Sequence, residues 1–348
     1  MGNIISPEER YRLKKVGMTK FGLFLAWLAS ITLLTYQNFN AAATANIYPA
    51  FGDSLLASFI ICILCIALCE FTGGILLTMF NSTKGIPLVE YARLLKVKST
   101  RTVLISAIAA GPIGTACAII AVGFCGSTYT NSIISLTPVV IAIAGRIFLK
   151  ENTNSRVYIG ILIAIAGCII ASFAAPEGVT NFYLGLAIAL VAPFAYATEA
   201  MISTHAMDVS DPLEVCSFYR MIGSSIIQSI IVVVLCAITG HLDWIGQILG
   251  MITASPIVMF FLFMTAVSFA VDYSTNYVAM NYAGAVRCAA VLYTTPIWSI
   301  PVGYIFAALG ILPYAVTTQG IIGAIIVVIG VTLVLAKPSE LFNLRKID

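Results

Sequence analysis

The chain has 348 residues, of which 60% are hydrophobic and only 9% charged, with a net charge of +3 and a mean hydropathy of +1.01. Soluble domains carry about 25% charged residues, so this composition excludes a water-solvated globular domain and calls for lipid as the solvent. The small net charge and the lack of a basic block exclude a nucleic-acid partner.

Residues 1–20, MGNIISPEERYRLKKVGMTK, are polar and read as a cytoplasmic N-terminal segment. No short apolar region with a small-residue cleavage site follows, so a removable signal peptide is not expected. MGNIIS fits a myristoylation pattern. A membrane-crossing helix needs about 20 apolar residues, and the runs between polar punctuation give ten: 21–46, 55–80, 101–125, 129–149, 156–175, 182–206, 214–239, 255–280, 284–309 and 314–336. A barrel would show short alternating strands instead. Residues 337–348 form an expected cytoplasmic tail.

Basic residues orient these spans. With ten crossings, every Lys and Arg except Arg220 falls on one side: 10–20 before the first span, 84–101 between the second and third, 146–156 around the fourth-to-fifth connection, Arg287 at the ninth, and 337–346 after the tenth. The positive-inside rule then places both termini in the cytoplasm. On that topology the NST acceptor at 81–83 faces the wrong side for glycosylation. The nine cysteines lie within spans or at their ends and read as small packing residues rather than a disulfide or metal framework.

The chain also repeats itself. LTPVVIAIAGRIFLKENTNSRVYIGILIAIAGCIIAS (136–172) and TTPIWSIPVGYIFAALGILPYAVTTQGIIGAIIVVIGVTLVLA (294–336) share Thr-Pro, an apolar stretch, a short connection and two glycines seven residues apart. Pro138 matches Pro296, Gly160 matches Gly323, and Gly167 matches Gly330. Residues 21–175 and 182–336 are therefore expected to be two five-helix repeats. An odd unit inserts with opposite orientation in its two copies, and inverted repeats build transporters with a binding site near the midplane.

The 136–172 segment resembles the end of an EamA-type repeat of the drug/metabolite transporter superfamily, with Glu151 in the place of its acidic residue. The second copy has GILPY there instead. AAGPIG (109–114), NFYLGLAIALVAPFAYATEAMISTHAM (181–207), Arg220 and NYVAMNYAGAVR (276–287) resemble the choline-uptake branch of that superfamily. The resemblance implies a cavity in which aromatic faces and a carboxylate hold a quaternary ammonium. It places Glu199 at the branch's helix-six glutamate and Tyr196 at a tryptophan, and it makes Asp272 an addition.

Three carboxylates lie within spans: Glu70, Glu199 and Asp272. An intramembrane charge costs roughly 2.5–3.5 kcal/mol even on the lenient insertion scale. By helical spacing Asp272 shares a face with Asn276, Tyr273 with Tyr277, and Glu199 with Tyr196 and Ser203. Tyr36, Gln37 and Asn40 form a similar patch on the first span. These faces are expected to line a hydrated chamber, together with Tyr293 and Trp298 of the ninth span. The alternative is that Glu199 and Asp272 pair with Arg220 or Arg287 and only hold helices together. Glu70, beside the small-residue run TGG at 72–74, and Arg220 read as structural and peripheral.

The expected function is alternating-access transport of a small organic cation or amine, such as choline or a related quaternary ammonium. The substrate-binding candidates are Glu199, Tyr196, Asp272, Tyr273, Asn276, Tyr277, Tyr36, Asn40, Tyr293 and Trp298. Asp272 and Glu199 are the candidates for proton coupling, and Pro138 and Pro296 for gating. The lipid bilayer, the substrate, and a coupling proton or sodium ion are the expected partners. Neither a cofactor nor a metal is expected. His205 and His241 stand far apart and no catalytic motif appears, so an enzyme is not expected. An exporter of amino acids or other zwitterions, and a non-transporting receptor or enzyme scaffold, are the alternatives.

Overall fold

The computed structural model describes residues 7–52, 54–148, 155–173, 175–176, 181–207, 213–283 and 285–335. The MGNIIS motif, Glu151 and the 337–348 tail lie outside them. Every regular element among the described residues is helical. Lipid offers backbone groups no hydrogen-bond partner, so each apolar segment satisfies its own N–H and C=O groups along a helix.

Nine helical stretches among the described residues are long and apolar enough to cross a membrane. The expected fifth span appears as a shorter helix, Ser155–Ala171, of 17 residues. At 1.5 Å per residue it reaches about 25 Å, the lower end of what a bilayer core needs. One helix was not expected. Asp243–Ala254 lies between the seventh and eighth spans and turns Ile248 and Ile252 inward. Its Trp244 stacks on His241 at 4.1 Å and meets Phe51 edge-on at 5.5 Å.

The helices, in chain order, are α1 (Pro7–Ala45), α2 (Leu55–Thr83), α3 (Leu88–Leu95), α4 (Lys98–Ala109), α5 (Ala116–Cys125), α6 (Ser127–Ile134), α7 (Thr137–Phe148), α8 (Ser155–Ala171), α9 (Phe182–Ala189), α10 (Val191–Met207), α11 (Leu213–Thr239), α12 (Asp243–Ala254), α13 (Pro256–Ala283), α14 (Ala285–Leu292), α15 (Thr295–Ala308) and α16 (Thr318–Leu335). Ser54 caps α2 by accepting the Ala57 N–H at 3.4 Å.

Several spans are interrupted. A π turn over Ala110–Thr115 joins α4 to α5. Pro112, which has no N–H to give the regular ladder, lies inside that turn. Gly126, at φ 87°, lets α5 turn into α6 where a side chain would be strained. The fourth and ninth spans break alike: α6 ends at Ile134 and α7 begins at Thr137 beside Pro138, while α14 ends at Leu292 and α15 begins at Thr295 beside Pro296. Across the breaks, Thr137 and Thr294 donate their hydroxyls to the carbonyls of Ile134 and Val291, each at 2.6 Å. The expected gating prolines thus stand where their helices are already discontinuous.

The largest packed core joins α1, α2, α5, α11, α12 and α13. The helix pairing follows a reciprocal scheme. The first span packs on the eighth (α1 with α13), and the third on the sixth (α4 with α10). The second meets the seventh (α2 with α11), the fourth meets the ninth (α6 with α15), and α8 meets α16. On α2, Gly73 and Gly74 let α11 and α13 approach, with a Cβ at Gly73 coming to 2.9 Å from the Ala266 carbonyl oxygen. The small-residue surface expected at 72–74 serves this close packing.

Two kinds of contact dominate the α6, α8, α15 and α16 region. The α8–α16 contact is a bare glycine crossing: a Cβ on Gly160 would come to 2.8 Å from the Gly330 carbonyl oxygen, and one on Gly167 to 3.0 Å from that of Gly323. The α6 contact is polar. Ser127, Thr128, Tyr129, Thr130, Asn131 and Ser132 are all buried. The Ser299 and Thr128 hydroxyls pair at 2.9 Å, Thr128 pairs with the Tyr314 hydroxyl at 2.5 Å, and the Thr317 N–H donates to the Tyr129 hydroxyl at 2.8 Å.

The crossing yields a stability prediction. Gly330→Val and Gly167→Leu force backbone apart and should cost about 1–3 kcal/mol each. The detergent-purified variants should melt several degrees lower by scanning fluorimetry. Gly246→Ala, where nothing lies within 4 Å of the added methyl, should hold or slightly raise the melting temperature, since alanine favours the helix over glycine.

Candidate functional site

The site is built on α11. Arg220, Ser224 and Gln228 recur every four residues, so they form one polar ridge along an otherwise apolar helix. All three are fully buried. Arg220 donates through Nη1 to Glu70 Oε1 of α2 at 2.5 Å and through Nε to Glu199 Oε1 of α10 at 3.0 Å. Gln228 Nε2 donates to the other oxygen of Glu70 at 3.1 Å and to Ser224 Oγ at 2.9 Å. The π turn makes room for this ridge, because a Cβ on Gly111 would collide with Ser224. Glu70 is fully buried, whereas the Glu199 side chain keeps 17% exposure.

An aromatic column abuts the guanidinium. Tyr36 of α1 stacks on Phe269 of α13 at 3.9 Å, with their planes 14° apart. Phe269 and Tyr273, one turn apart, lie nearly parallel at 6.0 Å. The Arg220 guanidinium carbon then sits 4.3 Å from the Tyr273 ring centroid, within cation–π range.

Asp272 lies beside this column, 5% exposed and within electrostatic range of Arg220 and Tyr36. Its Oδ1 has no hydrogen-bond partner among the described residues. Two carboxylates thus hold a single guanidinium, and the Asp272 carboxyl lies within its electrostatic range. Tyr196 donates its hydroxyl to Thr115 Oγ1 at 3.4 Å, and a Cβ on Gly114 would come to 2.9 Å from its ring.

The sequence-predicted residues divide into two groups. Glu199, Tyr196, Asp272, Tyr273 and Tyr36 come together around Arg220, and Tyr293 lies within electrostatic range of Glu199. The others have partners of their own, though the Asn40 Oδ1 has none among the described residues. Asn40 Nδ2 donates to Cys69 Sγ at 3.8 Å, and Asn276 Oδ1 accepts from Cys288 Sγ at 3.5 Å. Trp298 donates to Thr294 at 3.1 Å and meets Trp27 edge-on at 5.7 Å. Gln37 of the first-span patch accepts from Asn131 at 2.8 Å. The side chains of Tyr277, Ser203, His205 and Arg287 lie outside the described residues.

Arg220 and Glu70 correct the sequence reading. They are not peripheral: both are fully enclosed, and Arg220 touches Glu199 and Tyr273 directly. Helical spacing ranks faces within one helix but does not say which helices meet, and α2 and α11 meet across the centre. The signal was present, since Arg220 stands deeper within its expected span than any other Lys or Arg, the rest lying within three residues of a span end or outside. Such a charge needs a partner and marks a functional position by default. The cysteines with described side chains are all buried and carry no disulfide.

No family model matches the sequence. Protein LicB of Haemophilus influenzae is 24% identical over 205 residues, which are 58% of this chain and 65% of LicB. The match therefore spans less than two thirds of that relative's length. One solved crystal structure overlaps 91% of this chain and 97% of its own, with a TM-score of 0.49 and 14% identity; a likeness at that level carries no argument. The apolar helices are those of a multi-pass membrane protein.

Breaking a buried pair from one side leaves a charge behind and costs about 3–5 kcal/mol. Arg220→Met, which strands Glu70 and Glu199 together, should lower the yield of folded protein and its melting temperature more than any other single change at the site. Glu199→Gln should cost less, because that carboxylate is partly exposed and Arg220 keeps Glu70. Scanning fluorimetry of the three purified proteins checks the order.

Proposed function

We propose that the chain is a secondary transporter, not an enzyme, that moves a small organic cation or amine across a membrane by alternating access. Choline or a related quaternary ammonium is the favoured substrate. The observation that carries this reading is the charge imbalance: Glu70, Glu199 and Asp272 gather around one guanidinium, and Asp272 keeps an oxygen unpartnered among the described residues. A buried centre with three carboxyl groups to one guanidinium, and with aromatic faces, favours a cation once Asp272 has given up its proton. Each ring face contributes about 0.5–2 kcal/mol.

The reciprocal helix pairing supports a two-half architecture. If 21–175 and 182–336 are inverted copies, an axis between them exchanges each contact with its mirror. The first-with-eighth and third-with-sixth contacts form such a pair, and the second-with-seventh, fourth-with-ninth and α8-with-α16 contacts are self-paired. Gly160 against Gly330 and Gly167 against Gly323 follow the same exchange. On this reading ten helices cross the cell membrane, both termini are cytoplasmic, and the site lies between the halves near the midplane. Glu199, Tyr196, Tyr273, Tyr36 and Tyr293 contact the substrate. Asp272 carries a coupling proton, with a sodium ion as the other candidate. The breaks at Pro138 and Pro296 serve as hinges.

A second reading has one observation in its favour. Arg220 beside Glu199 offers charges of both signs, which suits the zwitterion of an amino acid. Two carboxylates already hold Arg220, however, so a substrate carboxylate must displace one of them, whereas a cation finds Asp272 open.

Reconstituted liposomes decide among these. Radiolabelled choline should enter and be displaced by other quaternary amines but not by neutral amino acids. Competition by amino acids alone supports the zwitterion reading, and binding without flux supports a receptor. Glu199→Gln should cut uptake at least about tenfold, corresponding to loss of one charge pair of roughly 1.4 kcal/mol. Asp272→Asn should abolish accumulation driven by a pH gradient while leaving exchange of preloaded substrate. Uptake unchanged in both variants contradicts the proposal.

A further inference from the structure

We propose that Arg220 is an internal competitor of the transported cation: its guanidinium occupies the Tyr273 face and the Glu199 carboxylate that the substrate must take, and it retreats onto Glu70 when substrate arrives. The inference rests on the cation-transport reading above and says how that site sets its affinity and resets.

The geometry makes the two positions unequal. Nε of Arg220 holds Glu199 at 3.0 Å and Nη1 holds Glu70 at 2.5 Å. Glu70 is also anchored by Gln228 at 3.1 Å and is wholly enclosed, so it is the fixed end. The Glu199 side chain, with 17% exposure, is the end that an incoming ligand can reach. The aromatic column leaves few alternatives. Tyr36 and Phe269 close on each other at 3.9 Å, and Phe269 lies parallel to Tyr273. The ring face at the head of the column is the Tyr273 face, and Arg220 is on it at 4.3 Å. A quaternary ammonium therefore competes with the guanidinium for both a cation–π face and an ion pair.

Competition has two effects. It weakens substrate binding by the free energy of the Arg220 contacts that are given up. It also returns the site to a charge-compensated state once substrate leaves, so that Glu199 and Tyr273 are not left bare in an empty, desolvated centre. Removing the competitor should tighten binding and slow turnover together, a combination that a residue with a purely structural role does not produce.

The test uses the full-length purified protein and tetramethylammonium, which lacks any carboxylate for Arg220 to grip. Titrations compare the wild type with Arg220→Gln and with the double variant Glu70→Gln/Arg220→Gln, which leaves no stranded charge at Glu70 and keeps the comparison available if the single variant does not fold. Choline counterflow in liposomes gives KM and the maximal rate for the same proteins. The expected result is a dissociation constant about tenfold lower in the variants, with KM and the maximal rate both reduced. In the wild type, the 15N resonance of the Arg220 Nε should move as tetramethylammonium saturates the protein. Wild-type binding with equal or weaker binding in the variants, or an Arg220 resonance unmoved at saturation, overturns the inference and leaves cation transport standing. Absence of tetramethylammonium and choline binding in every protein overturns both.

Discussion

The structure turns on one buried guanidinium. Arg220 joins α11 to α2 through Glu70, to α10 through Glu199 and to α13 through the Tyr273 ring. Four helices are tied at this point. In an apolar interior an unpaired charge is so unfavourable that the partners constrain one another. The pairing of α2 with α11, the crowding of Gly111 under Ser224 and the close approach at Gly73 all bring those partners within reach. The apolar core around them adds area without direction, while the ion pairs give the helices their register.

Nine of the ten expected spans were readable from the sequence, because lipid makes a single demand on every crossing segment and that demand is written as length and apolarity. The weak points follow from the same rule. Ser155–Ala171 is short for a span, and α12 is apolar enough to pack but too short to cross. Local breaks were readable at Pro138 and Pro296 from proline chemistry. The turn at Gly126 falls in the gap at 126–128 between the third and fourth expected spans, where a glycine at positive φ reverses the chain.

The site was readable in its components and not in its assembly. Asp272, Glu199, Tyr196, Tyr273 and Tyr36 stand out as polar or aromatic groups in hydrocarbon, and they do converge. Asn40, Asn276 and Trp298 stood out equally, yet each is engaged locally with Cys69, Cys288 and Thr294. Composition marks a residue as unusual, but only tertiary pairing decides whether its hydrogen bonds are met nearby. Arg220 was misplaced for the complementary reason: its partners lie 150 and 21 positions away in sequence, on helices whose adjacency no periodicity encodes.

The hydroxyl-rich contact of α6 behaves unlike the glycine crossing beside it. Glycine backbones touching across α8 and α16 lose everything when they separate, since nothing replaces the lost packing. A serine or threonine beyond the first turn of a helix has a carbonyl of its own helix one turn back, and Ser132 and Ser299 already use theirs. When α6 parts from α15 and from Tyr314, those hydroxyls need not go thirsty; they swivel home. The molecule thus owns one welded seam and one zip fastener side by side, and thermal agitation will undo the zip first.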